Sequence, residues 1–139
     1  MSVHTLKITS CKSQITKLES YVDQIKQQFG INEEQYPDIL ISLTEAVNNA
    51  IIHGNRNNTA KCVDILCNCN DGVLTFKISD EGKGFNPQQI KDPLAEENLD
   101  QEGGRGVFIM NTLCDGVKYH DEGSTVEMTF NISKSVKNY

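Results

Sequence analysis

No run of apolar residues in this 139-residue chain approaches the roughly 20 that a membrane helix needs, and the N-terminus lacks the basic-then-apolar arrangement of a signal peptide. Positive charge is scarce as well. Thirteen Lys and Arg stand against nineteen Asp and Glu, a formal net charge of -6, whereas a grip on nucleic acid or an anionic membrane demands a concentrated basic surface. The expectation is a cytoplasmic protein that meets nucleotides and other proteins, not nucleic acid or membrane. The five cysteines, Cys11, Cys62, Cys67, Cys69 and Cys114, are odd in number and form no C-x-x-C pair, which suits reduced thiols in a reducing compartment and argues against zinc. Cys67 and Cys69 alternate about Asn68 as in a strand, so both are expected on one sheet face as small hydrophobes. Neither an internal repeat nor a low-complexity tract is present. With 37% hydrophobic and 23% charged residues the composition is globular, and the length fits one domain over residues 1–139 with a core of its own.

The pattern along the chain is strand, helix, helix, then strands with one helix among them. Val3–Thr9 reads as a strand, and Ile15, Leu18, Val22, Ile25 and Phe29 recur at helical spacing before Gly30 closes the helix. A second helix starts near Asn32, with Gln35 three residues on as in a capping box; Pro37 suits a first turn and moves the boundary toward Tyr36. That helix is expected to run to His53 and stop at Gly54. Residues 61–68 and 73–79 read as antiparallel strands about the hairpin signal Asn70-Asp71-Gly72. Residues 80–106 are glycine-rich, charged and poor in large apolar side chains, the composition of a lid or binding loop. Val107, Phe108, Met110, Asn111 and Leu113 suggest a short helix, followed by strands at 117–120 and 125–132 across a turn at Glu122-Gly123 and a frayed tail after Ser133. The class is α+β: a two-layer sandwich with helices on one face of the sheet.

Three segments carry chemistry. In the helix segment from Leu43 to Gly54, the residues Leu40, Leu43, Val47, Ala50 and Ile51 cluster on one side while Glu45, Asn49 and His53 follow at i+4 beside them. A carboxylate and an amide one turn apart can take a proton from an attacking hydroxyl and offer an oxygen to magnesium; alone, such a stripe is more often a solvated helix face, and His53 equally a residue of the helix end. Asp80-Glu81-Gly82-Lys83-Gly84-Phe85 directly follows a strand. Glycine lets a flat ring approach the backbone, and a carboxylate there accepts from an exocyclic amine, which adenine has where guanine has a carbonyl; a glycine turn with a capping aspartate has the same letters. Gly103-Gly104-Arg105-Gly106 precedes the short helix, so its free amides and Arg105 suit phosphate, though a hinge is written the same way. It is neither a Walker A loop nor a dinucleotide fingerprint.

Taken in order, Glu45-x-x-x-Asn49-Ala50, Asp80-x-Gly82-x-Gly84 and Gly104-x-Gly106 resemble the N, G1 and G2 boxes of the GHKL, or Bergerat-fold, ATPases, and Gly123-Ser124-Thr125-Val126 looks like that superfamily's last motif. The likeness spans nearly the whole chain. Within the superfamily, Glu45-Ala46-Val47-Asn48-Asn49-Ala50-Ile51-Ile52-His53-Gly54 is most similar to the anti-sigma factor serine/threonine kinases of bacteria. The resemblance implies a mixed, mostly antiparallel sheet with helices on one face, and ATP and magnesium as cofactors. It further implies Glu45 as the catalytic base and Asn49 as the magnesium ligand. Asp80 would be the adenine reader, with Gly82, Gly84, Phe85 and His53 about the nucleotide. Gly103, Gly104, Arg105, Gly106 and Val107 would meet the phosphates, and the Thr125 hydroxyl would help hold Asp80. Its partners would be a sigma factor and an anti-anti-sigma protein of the STAS type, bound by a homodimer, with residues 86–103 as a lid that orders around the triphosphate. That lid carries Pro87, Pro93 and the acids Asp92, Glu96, Glu97, Asp100 and Glu102, so its contacts are not borrowed from the family.

The main alternative is a nucleotide-dependent sequestering switch without turnover, which has no need of a base at Glu45. The catalytic domain of a two-component histidine kinase shares the boxes, but needs a phosphoacceptor histidine on a dimerising helix ahead of them, and His4 alone precedes the second helix. Gyrase-like, mismatch-repair and chaperone ATPases need transducer domains that 139 residues do not hold. An unliganded structural domain would have to carry every box by chance.

Overall fold

The computed structural model describes residues 3–82 and 102–132. Strands β1 (Val3–Thr9), β2 (Cys62–Asn70), β3 (Val73–Ser79), β4 (Gly116–His120) and β5 (Thr125–Asn131) form one sheet in the order β1-β2-β3-β5-β4. The sheet expected to be mixed and mostly antiparallel is antiparallel at each of these pairings. Helices α1 (Thr16–Phe29), α2 (Gln35–Asn49) and α3 (Glu102–Leu113) complete the described structure. A 3-10 turn at Lys12–Ile15 leads into α1.

Register decides which face is buried, since side chains alternate along a strand. Ile8 pairs with Val63, Ile65 with Ile78, Cys67 with Phe76, Leu74 with Phe130 and Ile78 with Val126. All of these side chains are buried. The intervening pairs are polar: Lys7 faces Asp64, Asn68 faces Thr75, and Lys77 faces Glu127. One face is therefore apolar and the other hydrophilic, as in an antiparallel sheet covered on one side. Leu18, Val22 and Ile25 of α1 and Ile39, Leu43, Ala46 and Val47 of α2 supply the helical half of the core. Helix α2 packs against α1, α3 and the central strand β3. Phe76 and Phe130 meet edge-to-face with centroids 6.1 Å apart, a favoured aromatic geometry. Cys67 lies in this core as expected, with Cys69 partly buried against it. Burial pushes the Cys67 thiol up to about 12, so it packs as an uncharged small hydrophobe.

Local signals explain the boundaries. Gly30 ends α1 at φ 70, the left-handed cap that glycine adopts without strain. Asn32 Oδ1 accepts the Gln35 N–H at 2.8 Å, half of the expected capping box. The Gln35 amide does not reach back; it donates to the Asn131 carbonyl at 2.8 Å and ties the start of α2 to the end of β5. Pro37 falls in the first turn of α2, where its missing N–H is no loss. Asp71 and Gly72 have φ 53 and 78, the paired positive angles of a tight hairpin whose twist matches its strands. The start of α3 differs from the reading of the sequence. The helix expected from Val107 begins at Glu102, because glycines that look like breakers are carried in a helix packed against α2.

Candidate functional site at the end of α2

Helix α2 does not run regularly to His53. It ends at Asn49 and continues as a π-turn over Ala50–Gly54, closed by the Asn55 N–H donating to the Ala50 carbonyl at 2.8 Å. Single π-turns recur at functional sites, and a physical cause is present here. Asn55 is 1% exposed. Its Nδ2 donates to Ser10 Oγ at 2.7 Å and to the Cys62 carbonyl at 3.0 Å, and its Oδ1 accepts the Glu81 N–H at 2.7 Å. Leaving such a group unsatisfied costs about 1–3 kcal/mol, so the wider turn brings Asn55 inward. The chain then leaves through Arg56 and Asn57 in the left-handed region, at φ 53 and 58.

The π-turn delivers Gly54 against the segment that follows β3. A Cβ on Gly54 would lie 2.2 Å from Asp80 Oδ2, and one on Gly82 would lie 2.1 Å from the Gly54 carbonyl oxygen. Both positions require glycine because atoms of the neighbouring segment occupy the space. Asp80 is anchored through its N–H to the Ser124 carbonyl at 2.9 Å, and its Oδ1 accepts the Gly82 N–H at 2.8 Å. Oδ2 has no hydrogen-bond partner among the described residues. Burial raises the carboxyl above its ordinary range; the Gly82 N–H and the Lys61 charge act in the opposite sense. On the adjacent strands β3 and β5, the Ser79 and Thr125 hydroxyls lie 2.9 Å apart, and Thr125 donates to Asp121 Oδ2 at 3.2 Å.

The described structure therefore brings Asp80 and Gly82 against Gly54 at the end of α2; the Thr125 hydroxyl, expected to help hold Asp80, instead bonds to Ser79 and Asp121. Glu45 and Asn49 are half-buried one turn apart on that helix, and neither side chain has a hydrogen-bond partner among the described residues. His53 is exposed within the π-turn, so it does not continue the regular α-helical stripe of Glu45 and Asn49. The backbones of Gly103, Gly104, Arg105, Gly106 and Val107 lie in the first turns of α3; the Arg105 and Val107 side chains are outside the described residues, as are Gly84, Phe85, the span 86–101 and the tail after Ser133. Two residues of the junction carry a role that sequence reading does not give them. Gly54 reads as a helix stop but is a close-approach glycine, and Asn55 carries no sequence signal of its own. Asn55 could be flagged only by knowing that Ser10, Cys62 and Glu81 converge on it.

A two-layer sandwich with an acidic residue between two glycines at a strand end, facing the end of a helix that carries Glu and Asn, defines a nucleotide-binding class of fold. Residues 8–130 match the family described as the histidine kinase-like ATPase domain, and the chain belongs to that family. It is 26% identical over 137 residues to the serine-protein kinase RsbW of Staphylococcus aureus strains JH9 and Newman, covering 93% of this chain and 86% of each relative. The solved structure of the RsbU and RsbW domains of Rv1364c from Mycobacterium tuberculosis superposes with a TM-score of 0.64 at 12% identity, over 94% of this chain. This chain spans 32% of the length of that one, and at that identity the likeness establishes the fold. The GHKL resemblance read from the boxes and the helix-covered antiparallel sheet are both borne out. No described helix is long and apolar enough to cross a membrane.

Proposed function

We propose that this chain binds ATP with magnesium and transfers the γ-phosphoryl group to a serine or threonine of a STAS-type anti-anti-sigma protein, and that it restrains a sigma factor when not so engaged. The observation that carries the reading is the half-buried Asp80 carboxylate, wedged between Gly54 and Gly82 with Oδ2 unpartnered among the described residues. The residues present fit the nucleotide. One carboxylate oxygen is held by backbone and the other is available to an exocyclic amine. Asn49 offers a neutral oxygen to a hard cation, and Glu45, one turn away, accepts the proton of the attacking hydroxyl. Magnesium, when bound, supplies charge neutralisation for phosphoryl transfer. The first-turn amides of α3 at Gly103, Gly104 and Arg105 lack helical partners and suit phosphate oxygens, with Gly106 and Val107 following in the same helix. Gly84, Phe85 and His53 complete the nucleotide surroundings in this reading, and residues 86–103 close over it. The relatives named serine-protein kinase favour transfer over simple sequestration. The reading further takes residues 1–139 as one domain that works as a cytoplasmic homodimer.

The test is incubation of the purified chain with labelled ATP, magnesium and STAS-type proteins encoded beside it. Label is expected on serine or threonine of one of them. Glu45→Ala should retain nucleotide binding and lose transfer by a factor of about 100 to 10,000, the usual reach of a general base. Binding of ATP with no transfer by either form would convert the assignment to a sequestering switch.

A further inference from the structure

Three separated stretches of chain meet at one buried amide. The Asn55 side chain joins the residue after β1 (Ser10), the start of β2 (Cys62) and the segment after β3 (Glu81), while its backbone N–H closes the π-turn onto Ala50. The partners settle which way the amide faces: Oδ1 must meet the Glu81 N–H, and Nδ2 must meet the Cys62 carbonyl. Ser10 Oγ gives its own proton to the Lys61 carbonyl at 2.8 Å, so toward Asn55 it is an acceptor. The site thus asks for one acceptor and two donors in a short planar group. Aspartate lacks the donors and would set a carboxylate against a carbonyl; leucine lacks both functions.

The segment after β3 has two kinds of anchor. On the N-terminal side of the Asp80 peptide unit, the Asp80 N–H is held by Ser124. On the C-terminal side, the Glu81 N–H is held by buried Asn55, while Glu81 Oε2 accepts the Cys62 N–H at 2.6 Å from an exposed side chain. Water competes with the second of these bonds and not with the first. We propose that Asn55 is a positioning residue for base recognition: by holding the Glu81 N–H it fixes the Asp80 carboxylate at the edge where a purine is read, and so sets the preference for adenine over guanine. This rests on the nucleotide reading above. A displaced carboxylate keeps its charge but loses the direction of its hydrogen bond, so base discrimination falls further than overall nucleotide affinity.

Titration calorimetry of the full chain with MgATP and MgGTP tests this, with unfolding followed in parallel. Asp80→Asn serves as the control for the underlying reading and should abolish the ATP preference. Asn55→Asp and Asn55→Ala should lower the ATP-to-GTP affinity ratio by about tenfold or more, and Ser10→Ala, which removes an acceptor of Nδ2, by about threefold. A purely structural role would lower both affinities together and leave the ratio intact, so an unchanged ratio in folded Asn55 variants overturns the proposal. Should those variants not fold, an unchanged ratio in Ser10→Ala overturns it equally. If the wild type binds no ATP, or Asp80→Asn keeps the preference, the nucleotide reading itself is lost and this proposal with it.

Discussion

The apolar layer between helices and sheet and the polar junction at the end of α2 are built on opposite terms. In the layer, Phe76, Phe130, Leu43 and Ile51 are fully or almost fully buried, and what holds them is area removed from water and close packing, neither of which is directional. In the junction, Asn55 is joined to Ser10 and to Glu81 by bonds of 2.7 Å and Asp80 to Gly82 by one of 2.8 Å, and two glycines meet where a single methyl group has no room. The layer sets how stable the chain is. The junction sets where one carboxylate points, and spends stability to do so, since Asp80 is desolvated and Arg56 and Asn57 are held in left-handed backbone.

Substitutions in the two regions should separate these roles. Phe76→Ala removes a fully buried ring from the middle of the sheet and should cost about 3–5 kcal/mol by urea denaturation, with the ATP-to-GTP ratio of the folded fraction unchanged. Smaller in stability and larger in function is Gly82→Ala. Its Cβ meets backbone, the Gly54 carbonyl at 2.1 Å, so the segment carrying Asp80 must shift, and calorimetry should show ATP affinity reduced by about tenfold or more, or about 1.4 kcal/mol. Gly30→Ala supplies the contrast. Nothing lies within 4 Å of the added carbon, and the strain is that of φ 70 alone, so about 1 kcal/mol of stability should be lost with nucleotide affinity intact. Equal effects of the two glycine substitutions on ATP binding would erase the distinction between the regions.

The same division explains what the sequence discloses. The layer is written in local periods: helical spacing in α1 and α2 names Leu18, Val22, Ile25, Leu43 and Val47 of the core, strand patterns place β2, β3 and β5, and Asp71-Gly72 names its hairpin. Motif resemblance names Asp80, Gly82 and Thr125 together; the structure joins Asp80 to Gly82, while the Thr125 hydroxyl meets Ser79 and Asp121. What escapes a reading by period is whatever depends on distant partners. Residues 50–54 continue a helical pattern, yet Asn55 draws them into a π-turn through bonds to residues 45 and 26 positions away. The start of α3 at Glu102 escapes for a similar reason, because packing against α2 outweighs the low helix propensity of Gly103, Gly104 and Gly106.

Asp80 gives the smallest expected effect and one that tests whether the junction spends stability. Burial disfavours its charged form, so its folded pKa lies above the unfolded value. Below about pH 4, the unfolded value, both states carry the proton and no stability is lost. As pH rises through the raised folded value, the unfolded chain releases its proton first, and the folded state is destabilised relative to it. Asparagine at this position keeps an oxygen for the Gly82 N–H and has no charge to desolvate. Ligand-free Asp80→Asn should therefore be slightly more stable than the wild type at neutral pH, with the gain shrinking to nothing as the pH is lowered through the carboxylate range. Denaturation midpoints from about pH 3, below the usual carboxylate values, to about pH 8, well above them, measure it. A variant less stable than the wild type at neutral pH would mean that the carboxylate is held there by favourable contacts, and that it is not kept in reserve for a ligand.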